Sequence, residues 1–129
     1  MFLLDTNVWI EVFKKNPLVR KEFGTVENSE IGLSAIVLGE LKVGFKKRRK
    51  QSNSVYLALS DLYHIIPIDV MTADIYAEIR TELEEKGTPI GSNDLWIASQ
   101  AIQMSATLVT HNVREFSRVP GLTVVDWQQ

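Results

Sequence analysis

Cysteine is missing from this 129-residue chain, which excludes disulfides, zinc–thiolate centres and thiol nucleophiles together. Long apolar runs are missing too. None approaches the roughly 18 residues of a membrane span, and the apolar start Phe2-Leu3-Leu4 is broken at once by Asp5. A secretory leader keeps a basic start and about 7–15 uninterrupted apolar residues, so this N-terminus is not one. The expectation is a soluble, cytoplasmic protein with no membrane partner. Proline occurs four times and glycine seven, and they mark no linker, repeat or low-complexity tract. Residues 1–129 therefore read as one domain. A chain of this length buries roughly two thirds of the surface its unfolded form exposes, enough to fold without a staple.

A strong charge of either sign is lacking as well. Lys and Arg number 14 against 16 Asp and Glu, a net charge of −2, whereas proteins that coat nucleic acid are strongly basic. The average hides a basic corner, because Lys46, Lys47, Arg48, Arg49 and Lys50 are consecutive. That run reads either as a local contact to RNA phosphates or as the solvated end of a helix, where cations favour the dipole.

What is present is an alternation of short apolar strands and longer helical patterns. Phe2-Leu3-Leu4 is a buried strand that ends in the helix-capping residues Asp5-Thr6-Asn7. Ile31-Gly32-Leu33 is a second strand, and Ser34 caps a helix running from Ala35 to Arg49. Ser54 to Tyr63 reads as a further helix, and Ile65 to Ile68 as a strand that Pro67 assigns to an edge. The spacing of Ile75, Ile79 and Leu83 predicts a helix over Thr72–Lys86, stopped by Gly87. Ser92 or Asn93 then caps a helix through Ile102, and Thr107–Thr110 and Leu122–Val125 complete the strands. The fold class is α/β, with a central parallel sheet of four to five strands and helices on both faces.

Ligands of such sheets bind at the carboxyl ends of the strands. Asp5 follows the first strand, Glu40 lies on the helix after the second, Asp94 is in the first turn of a later helix, and Asn112 follows the strand ending at Thr110. Each has an ordinary reading: Asp5 as a helix start, Glu40 as a solvated position, Asp94 as a favourable charge at a helix N-terminus. Together they form a carboxylate cluster. Converging carboxylates repel one another unless a cation intervenes, and Mg2+ or Mn2+ prefers such oxygen ligands while keeping waters for a phosphate.

At this point the motifs resemble a known family. Leu4-Asp5-Thr6-Asn7, Gly39-Glu40-Leu41, Pro89-Ile90-Gly91-Ser92-Asn93-Asp94 and Thr110-His111-Asn112-Val113-Arg114-Glu115-Phe116 are similar to PIN-domain proteins, more closely to VapC toxins of VapBC toxin–antitoxin pairs. The resemblance covers essentially the whole chain. It implies a single PIN-like domain and a Mg2+- or Mn2+-dependent endoribonuclease that cuts structured RNA, often a transfer RNA. It also implies a homodimer neutralised by a VapB-like antitoxin, with which it builds a larger hetero-oligomer. Asp5 and Asp94 then correspond to metal ligands, Glu40 to the third acid, and Thr6 to a hydroxyl orienting Asp5 or a water. The family's fourth acid commonly falls where this chain has Asn112, so either Asn112 acts through a water or Glu115, one turn on, substitutes. That departure implies one firmly held metal before substrate binds.

Other residues carry two readings. His111, next to the site, contacts phosphate or is an ordinary loop residue, and His64 opens a strand. Trp9 and Trp96 either wall the site or fill a core or interface, and Trp127 packs the last strand. Two rival classes remain: an aspartyl-phosphate enzyme using Asp5, which lacks a suitably placed lysine, and a non-catalytic PIN-like binding module acting through a regulatory partner.

Overall fold

The computed structural model describes residues 1–48 and 54–129. Strand β1 (Phe2–Leu4) passes through the single residue Asp5 into helix α1 (Thr6–Phe13). Asp5 is extended (φ −63°, ψ 157°), and its carbonyl accepts from the Val8 and Trp9 amides at 3.1 and 3.2 Å, starting the helix. Helix α2 (Pro17–Phe23) was not anticipated. Its signal was local nonetheless: Asn16 accepts from the Leu18 and Val19 amides, and Pro17 occupies the first turn. Strand β2 (Ile31–Ser34) follows a short 3-10 turn, and Ser34 Oγ accepts from the Ile36 and Val37 amides to cap α3 (Ala35–Arg48).

Helix α4 (Ser54–Leu62) leads to β3 (His64–Ile66), and Pro67 falls just beyond the strand rather than inside it. Helix α5 (Val70–Glu85) begins two residues before the anticipated Thr72. The reason is a reciprocal cap: Asp69 accepts from the Thr72 amide, and Thr72 Oγ1 accepts from the Asp69 amide. Its stop is as anticipated, with Gly87 in the left-handed region at φ 70°. Helix α6 (Ser92–Gln103) is capped by Gly91, not by Ser92 or Asn93, which lie within the helix. Strand β4 (Thr107–Val109), the single-turn helix α7 (Val113–Phe116) and β5 (Thr123–Val125) complete the chain.

All strand pairs are parallel, in the order β3-β2-β1-β4-β5. The chain moves from β1 through β2 to β3, then crosses back to β4 and β5 on the other side of β1. Right-handed connections in opposite directions cover opposite faces, and the reversal makes the carboxyl ends of β1 and β4 a switch point where ligands bind. Two further backbone bonds level this edge, Asp5 N to Val109 O and Thr110 N to Val125 O, each 2.9 Å.

Leu3, Leu4, Ile31, Leu33, Leu108 and Val109 are fully buried, the near-continuous apolar pattern of strands covered on both faces. Each such side chain contributes about 1.5–3 kcal/mol on burial. Gly32 is where two elements approach most closely: a Cβ there would lie 2.5 Å from Ile66 Cδ1. Among the described residues, no helix is long and apolar enough to cross a membrane.

One buried polar group ties the sheet edge to α6. Gln100 is fully buried, accepts from Ser34 Oγ at 2.6 Å, and donates through Nε2 to the carbonyls of Ile66 (2.9 Å) and Pro67 (3.3 Å). It thus joins the ends of β2 and β3. Replacing it by methionine keeps the volume and strands these partners. Gln100→Met is expected to lower unfolding free energy by about 1–3 kcal/mol in urea titrations; wild-type stability would show that the bonds contribute nothing net.

Candidate active site

Asp5 stands where β1 meets α1, only 8% exposed. Its Oδ1 accepts from the Thr6 amide at 2.7 Å and its Oδ2 from Thr110 Oγ1 at 2.9 Å. Thr110 is fully buried, and the same hydroxyl accepts from the Asn112 amide at 3.0 Å. It thereby links the end of β1 to the loop after β4. Sequence reading missed Thr110 as part of the site, since nothing local marks a contact to a residue 105 positions away. Thr6 does orient an acid, but its hydroxyl donates to Glu40 Oε1 at 2.8 Å, and only its amide serves Asp5. Glu40 is half-buried on α3 and so points at the sheet edge, not into open solvent.

The second pair of acids meets across the α5–α6 loop. Asp94 lies in the first turn of α6, and Glu115 projects from α7. Glu115 Oε2 accepts from Asn112 Nδ2 at 2.7 Å, and its Oε1 accepts from the Gly91 amide at 3.2 Å. The glycine cap of α6, which offers no side chain, is thus served by a carboxylate from another element. Arg118 does not remove Glu115 from the site; its Nη1 donates to the Pro89 carbonyl at 3.0 Å. Asn112 and Glu115, the two candidates for the fourth position, are thus bonded to each other.

Electrostatics bind the four acids into one unit. Burial pushes the Asp5 carboxyl up; the bonds from Thr110 and Thr6 pull it back, and the charges of Glu40 and Glu115 raise it again, leaving it above 3.8. Asp94 is pushed up to about 7, first by burial, then by a hydrogen bond to Glu115, then by the charges of Asp5, Glu115 and Glu40. Glu115 goes the other way. Burial opposes its ionisation, but donors on Asn112, Gly91 and Asp94, with Arg118 nearby, outweigh it and hold it below its ordinary value. The two carboxyls of this pair are thus driven apart, Asp94 upward and Glu115 downward.

Among the described residues, no three acidic or histidine side chains surround a common point as metal ligands do. The acids are held in separate bonds instead, Glu40 with the Thr6 hydroxyl and Asp94 with Glu115. The donor set still suits a hard divalent cation: every donor is a carboxylate oxygen, and burial together with the neighbouring acids raises Asp94, a cost that a cation would relieve.

The remaining candidates separate clearly. Trp9 is buried among Phe23 and Tyr63 at centroid distances of 5.9 and 5.0 Å, so it fills the core and walls no site. Trp127 is buried and packs on Phe2 of β1. Trp96 stacks on Tyr76 at 3.8 Å, joining α6 to α5. His64 is exposed at the start of β3, whereas His111 has a partner the sequence did not suggest, Asp126, at 3.0 Å. Lys46 and Lys47 are exposed at the end of α3, and Arg49 and Lys50 lie outside the described residues.

The chain matches the sequence profile of the PIN domain over residues 2–122. It is similar to Ribonuclease VapC2 of Rickettsia felis, 40% identical over all of this chain and 99% of that protein. It also resembles the tRNA(fMet)-specific endonuclease VapC of Salmonella typhimurium, 34% identical over 98% and 97% of the two lengths. Among solved structures, the Rickettsia felis VapBC2 complex bound to a DNA fragment from its promoter superposes with a TM-score of 0.86. The identity is 39%, over 98% of both chains.

The protonated Asp94 fixes a pH dependence. Its folded pKa lies above 3.8, so the native state binds the extra proton between about pH 4 and about pH 7. Stability must fall as pH rises through that window, since the unfolded state binds fewer protons there. In a chelator, wild type is expected to be more stable toward urea at pH 5 than at pH 8. Asp94→Asn should show a flatter profile, and equal slopes would remove Asp94 as the origin.

Proposed function

The chain belongs to the PIN-domain family, in its VapC branch, and we propose that it is a divalent-metal-dependent endoribonuclease, the toxin of a toxin–antitoxin pair. The observation that carries this is the set of four acids at the switch point, one of them, Asp94, pushed up to about 7 by burial and then by the other three. Asp5 and Asp94, with Glu40, would hold Mg2+ or Mn2+. When bound, such an ion polarises a phosphoryl oxygen and lowers the pKa of a water, the two requirements of phosphodiester hydrolysis.

The protein's own groups divide the remaining work. Thr110 and the Thr6 amide fix both oxygens of Asp5, so its carboxylate cannot turn away. The Thr6 hydroxyl fixes Glu40. Glu115, ionised and braced by Asn112 and Gly91, accepts the hydrogen bond of protonated Asp94, and when Asp94 ionises its proton leaves to solvent.

Structured RNA, a tRNA in particular, is the substrate class we favour, since a relative 34% identical carries the name tRNA(fMet)-specific endonuclease. A VapB-like antitoxin is the expected partner, on the strength of the VapBC complex at 39% identity. We further propose a cytoplasmic homodimer that assembles with the antitoxin into a larger hetero-oligomer.

The direct test is cleavage of RNA by the pure protein with Mg2+, Mn2+ or a chelator. Asp5→Asn and Asp94→Asn should keep the wild-type circular dichroism and lose about a thousandfold in rate, the scale of several kcal/mol of charge stabilisation. Full activity in a chelator, or in either variant, would overturn the assignment. The fourth position needs a pair of variants. Glu115→Gln should slow cleavage more than Asn112→Ala, because the first removes a charge and the second only a donor to it. The double variant should be no slower than Glu115→Gln alone. Additive losses would mean that Asn112 acts independently.

A further inference from the structure

His111 and Asp126 form a pair that the acid cluster does not use. His111 Nδ1 lies 3.0 Å from Asp126 Oδ2, and the two side chains differ sharply in environment: 67% exposed for the histidine, 6% for the aspartate. Asp126 is fixed by its other oxygen, which accepts from the Gln128 amide at 2.8 Å. A surface pair of this kind adds little to stability. What it does is aim the ring. A carboxylate only accepts, so Nδ1 carries the hydrogen and Nε2 is the nitrogen that faces solvent.

Its position is set from both sides. The preceding residue, Thr110, donates to Asp5, and the following one, Asn112, donates to Glu115. Asp126 directly follows β5, two strands from β1 in the sheet order, so the pair stands about 10 Å from Asp5 along the carboxyl edge. A nucleotide neighbouring one held at the acids spans that interval. The chemistry of Nε2 then points to the contact. A ribose 2′-hydroxyl both donates and accepts, so it complements Nε2 with or without a hydrogen, and it is the group that distinguishes RNA from DNA.

We infer that His111, oriented by Asp126, binds the 2′-hydroxyl of a nucleotide next to the scissile bond and so helps restrict cleavage to RNA. This rests on the nuclease reading above. Asp126 is the positioning residue and His111 the one that touches substrate. Neither belongs to the acid cluster.

The experiment uses an RNA that the full-length protein cleaves at one bond, together with versions carrying a single 2′-deoxy nucleotide at each position flanking that bond. For wild type, one deoxy position should reduce kcat/KM about tenfold, the scale of one hydrogen bond. His111→Ala should lose the same factor on unmodified RNA and then be indifferent to the deoxy substitution, with an unchanged melting temperature. Asp126→Asn retains an acceptor for Nδ1–H and should fall between the two. If it fails to fold, the His111→Ala comparison stands alone, because that variant leaves the Asp126–Gln128 bond in place. Equal sensitivity of wild type and His111→Ala to every deoxy position would overturn the inference, as would wild-type cleavage of unmodified RNA by His111→Ala. A wild-type protein that cleaves no RNA in any divalent metal would overturn the nuclease reading, and this inference with it.

Discussion

Mutual repulsion among carboxylates at one edge of the sheet is the constraint on which the rest of this structure depends. Asp5, Glu40, Asp94 and Glu115 come from four separate elements; Glu40 and Glu115 raise the cost of ionising Asp5, and all three raise that of Asp94. A fold can keep such a cluster only if hydrogen-bond donors hold the acids where they repel. Thr6 and Thr110 do this for Asp5, the Thr6 hydroxyl for Glu40, and Asn112 with Gly91 for Glu115. Asp94 has Glu115 as its partner and becomes the acid that takes up a proton.

The sheet topology makes that convergence possible. Because the chain reverses direction at β1, the ends of β1 and β4 lie side by side with no connection running over them. Asp5 and Thr110 occupy these ends, and their bond closes the gap between two strands distant in sequence. Gln100 supports the neighbouring half of the same edge, holding the ends of β2 and β3 to α6, the helix that carries Asp94. Core order and site order are therefore coupled through α6.

Much of this was legible in the sequence, for definable reasons. The parallel sheet, and the carboxyl edge toward which Asp5, Glu40 and Asp94 lie, followed from short apolar runs ending in capping residues and from the helical spacing between them. What escaped was of two kinds. Short elements leave little periodicity, which is why the four-residue α7 went unseen and α2 had only Asn16-Pro17 to announce it. Long-range bonds leave none. The Thr110 contact to Asp5, the turning of Thr6 toward Glu40 and the pairing of His111 with Asp126 depend on which strands become neighbours. The misplaced cap of α6 belongs here too, because Gly91 is served by Glu115 from 24 residues away.

That cap explains why an amide at position 112 is compatible with the site. A fifth carboxylate there would add its repulsion to a cluster that already keeps Asp94 protonated. Asn112 instead donates to Glu115 and lowers it, while its own backbone amide is held by Thr110. One side chain thus converts a position of further repulsion into a brace for the acid one turn away. The result is a pair of carboxyls, Asp94 and Glu115, whose environments drive them in opposite directions, the arrangement that separates a carboxyl that holds its proton from one that stays ionised. Adding charge at residue 112 would narrow that separation. The amide is what keeps it wide.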